Sequence, residues 1–166
     1  MATKDNLAAA FAGESQANRK YLAYAKKAED DGYPQVAKLF RAAAAAETVH
    51  AHAHFDVMGG VQDTAANLQD AIEGEGHEFT EMYPDFLHEA EEEGNDPAVL
   101  SFGRAMAVEK IHHNLYQDAL KAVESGNDIK SEKVYVCSVC GNTVYGDPPD
   151  VCPVCGAKKE AFFEVE

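Results

Sequence analysis

Apolar residues recur between residues 4 and 125 in steps of three and four, the period of a helix that turns one stripe inward. The first stripe runs through Leu7, Phe11, Glu14, Asn18, Tyr21, Ala25 and Ala28, and the second through Val36, Phe40, Ala43, Glu47, His50, His54 and Val57. A third follows Leu68, Ile72, Glu75, Phe79, Met82 and Phe86, and a fourth Phe102, Ala105, Glu109, His112, Tyr116, Ala119 and Val123. Turn signals separate them: Asp31-Gly32-Tyr33-Pro34, Gly59-Gly60 and Gly94-Asn95-Asp96-Pro97. Asp96 is read as an N-cap, and Pro34 and Pro97 as first helical residues, where a missing N–H costs nothing. Pro84 falls inside the third helix and should bend it. Four long helices, each with one inward stripe, predict an all-α four-helix bundle.

Every stripe carries a glutamate near its middle: Glu14, Glu47, Glu75 and Glu109, with Glu78 one turn after Glu75. Unpaired buried carboxylates cost several kcal/mol each, so four at similar depth need positive charge among them. The pattern also repeats. Gly13-Glu14 precedes Glu47-x-x-His50 by 33 residues, and Gly74-Glu75 precedes Glu109-x-x-His112 by 34. Glu-x-x-His on two helices, with a glutamate from each of two others, is the ligand pattern of two-metal carboxylate bundles. The set Glu14, Glu47, His50, Glu75, Glu109 and His112, with Glu78 as an asymmetric seventh ligand, suits iron or manganese better than zinc or copper.

Beyond Ser125 the pattern changes. Ser-Gly-Asn-Asp ends the helix, a linker comes next, and Val134-Tyr135-Val136 reads as a short strand. The remainder is too small, and too rich in glycine and proline, to fold on apolar burial alone. Cys137-x-x-Cys140 and Cys152-x-x-Cys155 supply four thiolates from two turns, suited to one tetrahedral ion, with zinc and iron both chemically open. The domains are set at residues 1–130 and 131–166.

Charge removes one class of function. Acids outnumber bases 29 to 14, giving a formal charge of -15, which opposes phosphate recognition and so excludes nucleic acid as a partner. No apolar run reaches the ~18 residues of a membrane span, and the first residues carry no apolar signal segment. A cytoplasmic location is expected, and paired cysteines there bind metal more often than they form disulfides.

Together these motifs resemble the rubrerythrin family. The resemblance rests on Ala12-Gly13-Glu14-Ser15, Glu47-Thr48-Val49-His50, and Gly74-Glu75-Gly76-His77-Glu78 followed by Thr80-Glu81-Met82-Tyr83-Pro84. It extends to Glu109-Lys110-Ile111-His112 and to the two Cys-x-x-Cys-Gly turns, with no departure at a ligand position. It implies a ferritin-like di-iron bundle followed by a rubredoxin-like domain with one iron, and reduction of hydrogen peroxide to water in oxidative stress defence. Electrons would come from an NAD(P)H-dependent reductase or a small redox protein and pass through the tail iron. The resemblance further implies that His50 and Glu78 exchange at one iron with oxidation state, and that Tyr21 and Tyr83 act beside the site.

Two other readings stay open on the residues alone: a ferritin-like protein that oxidises and hands on iron, and a zinc-stapled binding module without turnover. His54, one turn beyond His50, is a candidate either to orient a ligand or to rest hydrogen-bonded in the core. Asn18 is expected to satisfy a backbone group, and His52, His77, His88 and His113, off the stripes, to be solvated. A head-to-tail homodimer or a multiple of it is expected, with the tail of one chain serving the bundle of the other. A helix of about 28 residues is ~42 Å long. The eight-residue linker from Gly126 to Lys133 reaches at most ~26 Å, which leaves little slack for folding back.

Overall fold

The structure is a computed structural model that describes residues 2–130 and 132–166. Ser131, where the second domain is expected to begin, lies outside the described residues. Helix α1 (Ala2–Asp30) and α2 (Pro34–Val57) form a hairpin; α3 (Thr64–His77), a π-helical turn (Glu78–Met82), α4 (Tyr83–Glu92) and α5 (Asp96–Glu124) come after it. Strands β1 (Val134–Cys137), β2 (Thr143–Tyr145) and β3 (Phe162–Val165) make an antiparallel sheet in the order β2-β1-β3. Packing divides the chain after Gln62, so the α1–α2 hairpin is one unit and Asp63–Glu166 another.

In the first unit the helices meet through small side chains. Ala37, Ala44 and Ala51, one heptad apart on α2, are buried, as are Ala25 and Ala28 on α1. Phe11 stacks on Phe55 at 4.9 Å, and Phe40 packs edge-on against Tyr24 at 5.6 Å. The alanine face is one position round from the stripe read in the sequence, and Val36 and Val57 of that stripe are exposed. Alanine lets two backbones approach closely, so this contact selects it over the bulkier residues beside it.

In the second unit α5 packs against α3 and α4. Asn95, not Asp96, is the N-cap of α5, its side chain accepting from the Ala98 N–H, and Pro97 sits one residue inside the helix. The expected bend before Pro84 is a π turn, closed by the Tyr83 N–H on the Glu78 carbonyl. His113, expected to be solvated, instead ties α3 to α5: its Nδ1 lies 3.0 Å from the Ile72 carbonyl, and Phe79 meets its ring edge-on.

The sheet presents two knuckles. Gly141 and Gly156, with φ of +85° and +75°, let the chain turn back so that their N–H groups donate to the Cys137 and Cys152 carbonyls. A side chain at either position would be strained, which is why glycine follows each Cys-x-x-Cys.

Candidate metal centres

Each hairpin gathers three of the ligands read from the sequence. On α1 and α2, Glu14, Glu47 and His50 offer ligand atoms within 4.8 Å of one another; on α3 and α5, Glu75, Glu109 and His112 do the same. In both sets the Glu-x-x-His spacing places the ring Nδ1 against its own glutamate, at 3.0 Å for His50 and Glu47 and 2.9 Å for His112 and Glu109. The second carboxylate stands further off, at 4.0 Å for Glu14 and 3.7 Å for Glu75. Two donors bound at ~2.1 Å and at right angles to one another are ~3.0 Å apart, so the nearer pair in each set fits one ion.

The acids are held in like-charged pairs. A hydrogen bond with Glu47, then burial, raises the Glu14 carboxyl, while the same bond and His50 lower Glu47. Burial first, then the hydrogen bond and charge of Glu109 and the charge of Glu78, push Glu75 to about 7. A cation would relieve the repulsion between the carboxylates in each set.

Glu78 stands outside both triads, on the π turn. Burial and the charge of Glu109 raise its carboxyl, opposed by His77 and His112. Tyr83 faces the same carboxylates: burial, then Glu78, Glu109 and Glu75, hold its phenol above the usual range. Tyr21 lies among aromatic rings, 6.2 Å from Phe40 and 6.3 Å from Tyr24. Asn18 donates to the Ala44 carbonyl at 2.7 Å and to Thr48 at 2.8 Å, satisfying backbone as expected. His52, His77 and His88 are exposed.

The four cysteines are free thiols with sulfurs within 4.8 Å of one another. Cys137 and Cys155 are 3.7 Å apart, and Cys140 and Cys152 3.6 Å. A tetrahedron with metal–sulfur bonds of ~2.3 Å has edges of ~3.8 Å, so the cage has the size of one ion. Burial raises the Cys152 thiol, but the backbone N–H groups of Cys155 and Val154 outweigh it and bring the group down to about 7. Asn142, fully buried, also points its Nδ2 at the Cys152 sulfur, 3.7 Å away. Burial dominates the other way at Cys140 and Cys155, whose thiols are raised.

The tail lies on its own chain's α5. Gly141 approaches Val108, and Thr143 Oγ1 is 2.9 Å from His112 Nε2. The linker was expected to leave little slack for folding back, and β2 nevertheless reaches the middle of its own chain's α5, the sheet itself covering part of the distance. Three residues near the centres carried no local sign. Asn142 directly precedes β2 and Thr143 begins it, and Tyr116, read only as part of a stripe, is raised by burial and by Glu75, Glu109 and Tyr145.

These features define a ferritin-like carboxylate protein with a rubredoxin-like cysteine domain. The family model "Rubrerythrin" matches residues 5–120, and "Rubrerythrin, rubredoxin-like domain" matches 135–163. Rubrerythrin-2 of Clostridium acetobutylicum is 38% identical over 174 residues, covering 96% of this chain and 95% of that one. Nigerythrin of Nitratidesulfovibrio vulgaris is 37% identical over 174 residues, covering 96% and 85%. Among solved structures, partially reduced nigerythrin aligns over 98% of this chain and 86% of its own, with a TM-score of 0.59 and 34% identity. The fully reduced, all-ferrous state of nigerythrin aligns equally well, at a TM-score of 0.59. The chain belongs to the rubrerythrin family: a di-iron protein with a second, cysteine-bound iron in its rubredoxin-like domain.

Proposed function

We propose that the protein is a cytoplasmic peroxidase that reduces hydrogen peroxide to water in oxidative stress defence, H2O2 + 2 H+ + 2 e− giving 2 H2O. The observation that carries this reading is the seat of the cysteine domain on α5, against a histidine of the carboxylate triad. A storage protein has no use for a one-electron site held against its ligands. No helix among the described residues is long and apolar enough to cross a membrane.

Residues 1–130 provide the di-iron ligands Glu14, Glu47, His50, Glu75, Glu78, Glu109 and His112, and residues 131–166 hold the tail iron through Cys137, Cys140, Cys152 and Cys155. Bound iron supplies the two electrons and Lewis acidity toward the peroxide oxygens. The five glutamates contribute -5, within one unit of the +4 of two ferrous or the +6 of two ferric ions. That near-neutrality in both states favours cycling over loss of metal. His50, the most exposed of the triad residues, and Glu78, outside its triad, would be the pair to exchange with oxidation state once iron is bound. Tyr83 keeps its proton in this acidic setting and so remains a hydrogen-bond donor beside the site. Tyr21 is its counterpart on α1. Electrons enter from an NAD(P)H-dependent reductase or a small redox protein. The assembly is a homodimer or a multiple of one, supported by large apolar side chains left at the surface, such as Leu39, Val49 and Val57 at 69%, 66% and 72% exposure.

The test is anaerobic. Protein reduced at all three irons should consume one peroxide per two electrons and keep its metal. Faster oxidation by dioxygen with release of ferric iron would replace this reading with iron handling.

A further inference from the structure

The α1–α2 hairpin holds a cleft of about 330 Å³ that none of Glu14, Glu47 and His50 lines. Phe11 and Phe55, with rings stacked at 4.9 Å, close one end of it, and the Asn18–Thr48 hydrogen bond of 2.8 Å closes the other. From Phe11 to Asn18, and from Thr48 to Phe55, is seven residues of helix, ~10 Å. Between the two ends lie Ser15 and the buried Ala51, too short to fill the gap. A Cβ on Gly60 would stand 2.2 Å from Phe55 Cε2, so glycine there leaves this ring its place in the wall. Most polar donors of the wall are already engaged. Ser15 Oγ donates to the Phe11 carbonyl at 2.7 Å and Thr48 Oγ1 to the Ala44 carbonyl at 3.2 Å, while Asn18 Nδ2 donates to that same carbonyl and to Thr48. Arg19 and His52 remain. Both are exposed, both line the cleft, and among the described residues neither has a hydrogen-bond or ion-pair partner. No acid lines the cleft, in a chain whose acids outnumber its bases 29 to 14.

We propose that this cleft binds a small organic monocarboxylate, its head held by Arg19 and His52 and its apolar body laid against Phe11 and Phe55. A guanidinium presents a planar fork of N–H donors that matches a carboxylate, and an imidazole keeps at least one N–H in either charge state. The ring wall takes the body, removing apolar surface of both partners from water. Charge selects a monoanion over phosphate. One guanidinium stands against a formal charge of -15, and Ser15 and Thr48 directly follow Glu14 and Glu47, so a second negative charge on the ligand adds repulsion without a further cation to offset it. The occupant touches both helices, so binding ties α1 to α2 and raises the melting temperature. This surface is separate from the one assigned to assembly, because none of Leu39, Val49 and Val57 lines it. It involves no residue of either metal triad, and so it stands apart from the peroxidase reading.

Titration calorimetry on the full-length, iron-loaded protein tests this with benzoate as the probe, beside benzamide and inorganic phosphate. Benzoate should saturate at roughly millimolar concentration. Benzamide, its neutral isostere, and phosphate should each bind roughly 10-fold or more weakly. Arg19→Gln should weaken benzoate roughly 10- to 100-fold and His52→Gln by a smaller factor, while Arg19→Lys, which keeps the charge and loses the fork, should fall between parent and Arg19→Gln. Lys20→Gln removes the same charge from an exposed neighbour that does not line the cleft, and should leave the affinity unchanged. Benzoate should also raise the melting temperature of the parent and not that of Arg19→Gln. Arg19 and His52 are exposed, and melting at the parent temperature without benzoate shows that each variant has folded. No saturable binding up to roughly 10 mM overturns the site. Undiminished binding in Arg19→Gln places benzoate elsewhere, on the bundle iron for instance, and overturns it as well. An equal loss in Lys20→Gln reduces the effect to net charge and overturns the assignment of the head. Equal affinity for benzamide, or tighter binding of phosphate, overturns the monocarboxylate class.

Discussion

The Glu78 carbonyl accepts the backbone N–H of Tyr83, five residues on, so the chain makes one π turn between α3 and α4 at the residue that breaks the ligand repeat. A π turn adds a residue to the helix and re-aims the side chains beyond it, and such turns concentrate at functional sites. It puts Glu78 outside the triad of Glu75, Glu109 and His112 while their charges still act on it. Glu78→Gln should therefore leave both bundle ions in place and slow peroxide turnover roughly 10- to 100-fold. Metal analysis beside turnover checks this, and loss of an ion together with activity would make Glu78 a structural ligand instead.

Glu109→Ala should empty the bundle of metal and leave the tail ion bound. Glu109 is the near partner of His112 and the hydrogen-bond partner of Glu75, whereas the tail cage is made of cysteines alone. Iron counted per chain, with the tail band as internal standard, gives the answer. Two retained bundle ions, or a lost tail ion, would contradict it.

Asn142→Leu should lower the reduction potential of the tail iron with little change in stability. The Asn142 N–H points at the Cys152 sulfur and stabilises the more negative form of the cage, the reduced one. Its Oδ1 is buried with no hydrogen-bond partner among the described residues. Leucine removes that cost together with the bond, so the stability change should stay within about 1 kcal/mol. Potentiometry reads the shift, about 59 mV for each tenfold change in the relative stability of the two states. An unchanged potential would remove Asn142 from the tuning of this site.

Metal-free protein should lose stability as pH rises through about 7. Glu75 is raised from 4.5 to about 7, so its folded form prefers the proton. That contribution is complete below the unfolded value of 4.5 and disappears as pH passes the folded one. Melting curves across this range should fall for the apo protein and stay level with metal bound, since an ion replaces the proton. Equal slopes in both forms would show that the carboxylates are not the cause.

Mixing a variant that lacks residues 131–166 with Glu109→Ala, under conditions of subunit exchange, should not recover reductant-linked peroxidase activity. The tail touches α5 of its own chain through Thr143 and His112, so neither partner offers an intact pair of centres. Recovered activity would establish transfer between chains.

Local geometry made much of this legible. Glu-x-x-His places two side chains on one helical face whatever the rest of the chain does, and both histidines do lie about 3 Å from their own glutamates. The helix ends and the two cysteine knuckles were equally readable, because glycine and proline act within a few residues of where they stand. Which face of α2 meets α1 was not, since a stripe of alanines and a neighbouring stripe of larger residues have the same period and only the partner helix chooses between them. The π turn depends on one carbonyl finding a later N–H. The contacts His112 to Thr143 and His113 to Ile72 span 31 and 41 positions, and no periodicity reports a pairing at that separation. The sequence by itself determined the chemistry available, namely carboxylates, imidazoles and thiolates in repeating sets. Only the tertiary structure decided that the thiolate domain rests on a triad histidine of its own chain, because that depends on where a folded sheet comes to lie and not on the residues that precede it.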